Sequence, residues 1–237
     1  MSDAKLRELE RRWRETGAVD DEAAYLLERV RVGDLTPERV ELAAYCGNAG
    51  ARATLAPAAP AVFCVLPSST TDEWDYEARE SFRSFLTRVA GFGGEAFLHA
   101  ALAAGWFVLP VFERVRRDPR PREALEVAEA CLLEPSAQNL AKATAASEGA
   151  AAAQGGSADI GDVLTGPPPP RESGAADLAS YVCQLAATLE VRSRSELGVG
   201  AVSDMIEMLG AVGVNWSMLA GSLAQRVASW ALGPNAG

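Results

Sequence analysis

In "DAKLRELERRWRETG" the apolar residues Leu6, Leu9 and Trp13 follow one another at three- and four-residue steps. That spacing puts them on one stripe of a helix. Gly17 supplies the stop, since glycine tolerates the left-handed turn that ends many helices. "DDEAAYLLERVRVG" predicts a second helix, with Asp20 as its N-cap, acids in its first turn, arginines in its last and Gly33 closing it. That polarity complements the helix dipole. "LTPERVELAAYCG" predicts a third, in which Thr36 caps, Pro37 takes the first helical position and Gly47 ends the run. Residues 1–55 are therefore expected to form a small three-helix module.

The period then breaks. "APAAPAVFCVLPSSTT", residues 56–71, sets prolines and a Ser/Thr run around an apolar pentad too short for a helix. It reads as an extended connection, with a lone strand as the alternative. Helical spacing resumes in "DEWDYEARESFRSFLTRVAG" through Tyr76, Phe82, Phe85, Leu86 and Val89, and Gly91 terminates it. An apolar helix over 95–116 follows, with Pro110 as a point of bending. The next helix has Asp118 as a capping residue and Pro119 and Pro121 at its start, and it runs to Glu134; Ser136 opens another. Residues 72–153 are thus expected to be a helical core.

From 154 to 174 the chain reads "QGGSADIGDVLTGPPPPRESG", whose glycines, serines and consecutive prolines mark a linker or long loop. Three further helices are predicted near 175–191, 195–212 and 215–232, so that residues 175–237 pack on the core. The expected fold class is all-α: a multi-helix bundle or stacked helical hairpins, about 8–10 helices.

The length of 237 residues allows one large domain or two modest ones. A formal net charge of −10 argues against nucleic acid as a partner and against anionic membrane surfaces. The stretches 96–112 and 208–225 contain no Asp, Glu, Lys or Arg, but His99, Pro110, Asn215, Ser217, Ser222 and Gln225 interrupt them. A spanning helix needs about 20 predominantly apolar residues, and a helix apolar all round also belongs in a core. No membrane span is expected. The opening "MSDAKLRELERRW" has no apolar signal core, and Cys46, Cys64, Cys131 and Cys183 lack metal or redox spacing. The expectation is a cytoplasmic protein with buried, reduced thiols.

Candidate chemistry is sparse. His99 is the single histidine, which leaves one possible general base and no histidine metal cluster. Its setting in "FLHAALAAGW" is that of a core residue. No Gly-x-Ser-x-Gly elbow presents a serine, and "GFGGEAF" lacks the spacing of a phosphate loop. The acids Asp20/Asp21 and Asp72/Glu73/Asp75 fall at helix starts, where the dipole explains them. No catalytic residue, metal or cofactor is expected.

One feature stands against the acidic background. "ERVRRDPRPREALE", residues 113–126, holds Arg114, Arg116, Arg117, Arg120 and Arg122, and residues 123–190 then carry ten acidic and two basic side chains. Backbone N–H groups at a helix start favour anions, and the guanidinium fork suits carboxylate or phosphate. The cluster is either a contact site for an acidic partner or an internally paired set. In the second case Arg120 and Arg122 pair with Glu123, Glu126 or acids on neighbouring helices, while arginines at the end of helix 95–116 neutralise its dipole.

The segment "VLPVFERVRRDPRPREALEVAEACLLEP" (108–135), with the alanine-rich stretch to 153, resembles a helical family of bacterial immunity proteins. Residues 6–47 resemble a small helical module that heads assorted bacterial proteins. The first resemblance implies a helical scaffold and a protein partner, a toxin. The expected function is a non-enzymatic helical interaction module, of immunity or inhibitor type. It would bind an acidic protein surface through the five arginines, with Trp13 and Trp106 as anchors or core residues. The alternatives are a homo-oligomer assembled through the small residues of "MLGAVGVNWSMLAGSLA" and an enzyme using His99.

Overall fold

A computed structural model describes residues 2–55, 76–153, 171–188 and 199–233. Among them every regular element is a helix, eleven in all, so the fold is all-α. The chain divides into two compact units, one from residues 1–65 with 223–237, the other from 66–222. The connection expected at 56–71 lies outside the described residues, as does 154–170 of the expected linker. Residues 171–174 are helical.

The first unit contains α1 (Ser2–Thr16), α2 (Val19–Val32), α3 (Pro37–Tyr45) and α4 (Ala49–Thr54). This is one helix more than the period suggested. α4 is six residues long and starts where Asn48 accepts the Ala51 N–H at 2.7 Å. Thr36 caps α3 by accepting the Arg39 N–H at 3.4 Å, with Pro37 at the first position. Gly33 ends α2 at φ 80°, a left-handed conformation that disfavours other residues. The start of α2 differs from expectation. Ala18 is its N-cap, and Asp20 lies exposed in the first turn.

Charge ties α1 to α2. Lys5 of α1 reaches Glu28 of α2 at 2.9 Å, and Arg31 reaches the same carboxylate at 2.5 Å. Arg12 Nε donates to Asp21 at 2.6 Å, and Thr16 Oγ1 donates to its other oxygen at 2.6 Å. Trp13 stacks on Tyr25 with ring centres 5.4 Å apart, so this half-buried tryptophan is spent inside the module. The last turns of α11 (Trp216–Leu232) complete the unit.

The second unit holds α5 (Tyr76–Gly91), α6 (Gly94–Val115), α7 (Arg120–Leu133), α8 (Ala137–Ala152), α9 (Arg171–Thr188) and α10 (Val199–Val212). α9 is its centre and packs on α6, α7, α8 and α10. Alanine and glycine explain how one helix touches four others, because small side chains let backbones approach. Gly174, Ala175, Ala176, Ala179 and Ala186 of α9 are all buried. A Cβ on Gly174 would sit 2.9 Å from Val212 Cγ2 and 3.1 Å from Met208 O of α10.

Bulk comes from α5 and α6, which bury Phe82, Phe85, Phe97 and Phe112. α6 is long and apolar enough to cross a membrane by length and composition, and 67% of that window is buried within the protein. It continues through Pro110, which lies exposed.

Candidate functional site

The five arginines separate into two sets. Asp118 accepts the Arg120 backbone N–H at 3.0 Å and its Nε at 2.9 Å, while Nη2 meets the other oxygen at 2.5 Å. The guanidinium beside it holds the Asp118 carboxyl below its ordinary range. Arg122 forms a two-point pair with Glu113 of α6 at 2.7 and 2.9 Å, and lies 5.6 Å from the centre of the Trp106 ring. Arg116 sends Nη1 to Ala153 O at 3.0 Å, at the end of α8, a helix with no basic residue in its own last turn. These three are structural connections, and only the Asp118 pair is local in sequence.

Arg114 and Arg117 are different. Both are exposed, and neither makes an ion pair among the described residues. Arg114 lies in the last turn of α6, where the dipole favours a cation. Between them Val115 is 63% exposed, one of the most exposed large apolar side chains described. Two exposed cations and one exposed apolar side chain therefore fall within four consecutive positions at the end of α6. The sequence marked the arginines, but nothing in it marked Val115.

At the start of α7 two of the backbone donors are already engaged. The Arg120 N–H is taken by Asp118, Pro121 has none, and the Glu123 N–H bonds Pro119 O at 3.0 Å. Pro119 occupies the N-cap position, so Asp118 caps from one residue earlier than expected.

The remaining candidates are placed as follows. His99 is half-buried on α6. Trp106 is half-buried as well, and its Nε1 has no hydrogen-bond partner among the described residues. Burial pushes the Cys46 and Cys183 thiols up to about 12 and raises Cys131; Cys131 and Cys183 are buried, Cys46 is half-buried, and Cys64 lies outside the described residues. Cys183 Sγ donates to Ala124 O at 2.6 Å. No group of three or more His, Cys, Asp or Glu side chains able to hold a metal occurs among the described residues. Part of the small-residue stretch considered for self-assembly is used within the chain, since Met208, Ala211 and Val212 receive Gly174.

No family model, curated protein or solved structure matches the chain.

Proposed function

We propose that this protein is a helical interaction module that docks an acidic protein surface through Arg114, Val115 and Arg117. The observation that carries this reading is the division of the arginine cluster. Three members bond to other parts of the chain, while two exposed ones without ion pairs among the described residues neighbour an exposed valine in sequence. An apolar contact between like charges suits a partner whose carboxylates surround a shallow apolar site. In the form suggested by the segment 108–153, the protein is an inhibitor or immunity factor and its partner a toxin.

The test compares two double variants in affinity capture from the source cells, each checked for helicity. Arg114→Glu with Arg117→Glu should keep its helicity and lose an acidic partner that wild type retains. Association with that partner should slow as salt rises, because exposed charges steer encounter and are screened. Arg120→Glu with Arg122→Glu should instead lower stability. If the first variant keeps every partner, the surface is not the interface.

A further inference from the structure

The carboxyl end of α11 is held by groups that its own sequence does not supply. A helix end leaves carbonyls without intrahelical donors and carries the negative pole of the dipole. α11 has no basic residue in its last turn. The donors come from α2 and α3. Arg29 sends Nη1 to Leu232 O at 2.5 Å and Nη2 to Gly233 O at 3.2 Å. Arg39 sends Nη2 to Trp230 O at 2.7 Å and lies 4.6 Å from the centre of the Trp230 ring. Trp230 O also accepts the Gly233 N–H at 3.1 Å. Arg29 is 4% exposed, and Asp34 fixes it from the other side at 2.6 Å.

We propose that α2 and α3 form a receptor for the carboxyl end of an α-helix, filled in this chain by α11 and able to take the same end from a second copy. The ligand is three backbone carbonyls and one indole, and another copy presents it identically. Residues 66–222, which separate the two halves of the site in sequence, form a compact unit of their own. Exchange of an identical element between copies is a low-cost route to a dimer. A buried arginine deprived of its carbonyls would keep donors without acceptors, so an emptied site favours refilling.

The experiment uses the full chain and a fluorescent synthetic peptide of residues 216–233, followed by anisotropy. Wild type should bind it weakly, because its own α11 occupies the site at high effective concentration. A Trp230→Ala chain, whose own end has lost the indole, should bind about tenfold more tightly than wild type. Adding Arg29→Met and Arg39→Met should abolish that binding. Arg39→Lys on the Trp230→Ala chain keeps the charge but loses the planar fork, and should weaken binding about tenfold in a chain that circular dichroism shows folded. This arm gives an answer even if the double methionine variant unfolds. Wild type warmed to its midpoint and recooled at high concentration should yield dimers in light scattering, and fewer with Arg39→Lys alone. Equal peptide binding by all chains, no binding by Trp230→Ala, or dimers indifferent to Arg39 would each overturn the proposal.

Discussion

Among the described residues the buried charges Asp21, Glu28 and Arg29 all lie in the amino-terminal unit, whereas the larger unit buries only the serines Ser147 and Ser180 as polar residues. The larger unit has phenylalanines on α5 and α6 to fill its core and small residues on α9 to let the helices close. The amino-terminal unit is the smaller of the two and buries no phenylalanine among its described residues, and small units bury a smaller share of their surface. Its helices are joined by Lys5–Glu28–Arg31, Arg12–Asp21–Thr16 and the Arg29 clamp. Directional polar contacts to buried charges add to the apolar core of that unit, whereas the larger unit buries no charged side chain among the described residues. The two units should therefore fail under different conditions.

Truncation in the larger core should give the greatest loss. Phe97→Ala removes a fully buried ring on α6 and should cost about 3–5 kcal/mol in denaturant unfolding. Gly174→Ala comes next. It forces a methyl against Val212 and the Met208 carbonyl, and should cost about 1–3 kcal/mol by separating α9 from α10. A compensating Val212→Ala should recover part of that loss if the clash is its cause.

The serines sharpen the contrast. Ser180 Oγ donates to Ser147 O at 3.0 Å and lies 3.2 Å from Ser147 Oγ. Ser180→Ala should cost about 1 kcal/mol, and adding Ser147→Ala should cost little more, because the partner's unmet need disappears.

The weakest effect at neutral pH should belong to acid titration, and it should appear only in the amino-terminal unit. Arg31 and Lys5 hold Glu28 down to about 2 from an ordinary 4.5, and Arg12 and Thr16 hold Asp21 low. A carboxylate whose folded value is depressed adds stability above its unfolded value, and that stability is lost as pH falls toward the folded one. Hydrogen-exchange protection in α1 and α2, taken relative to the intrinsic rate at each pH, should therefore fall between about pH 4.5 and 2. Protection in α9 should not follow until the whole chain unfolds. A uniform loss of protection across both units would remove the distinction.

Local signals were legible in the sequence and distant ones were not. Thr36–Pro37, Ser136 and Gly33 mark helix ends through bonds or angles within a few residues, and they lie where the pattern put them. Asp20 misled because any of several acids at a helix start satisfies the same rule. Its neighbour Asp21 is drawn to Arg12 and Thr16, and α2 begins without a side-chain cap. α4 escaped because six residues are too few to show a period, although Asn48 was available as a start signal. The arginine cluster was visible, but its division was not. The bonds that decide it run from Arg122 to Glu113 and from Arg116 to Ala153, across helix boundaries. Nothing in "SWALG" announces a partner 203 positions earlier.

The split composition of the amino-terminal unit has a consequence in time. Its first 65 residues are synthesised early, but the segment from Leu223 that completes it follows only after residues 66–222. At ordinary rates of synthesis that interval is roughly ten to thirty seconds. Throughout it Arg29 and Arg39 lack the carbonyls that they hold in the finished chain. A nascent chain therefore passes through a period in which α2 and α3 wait for the end of α11.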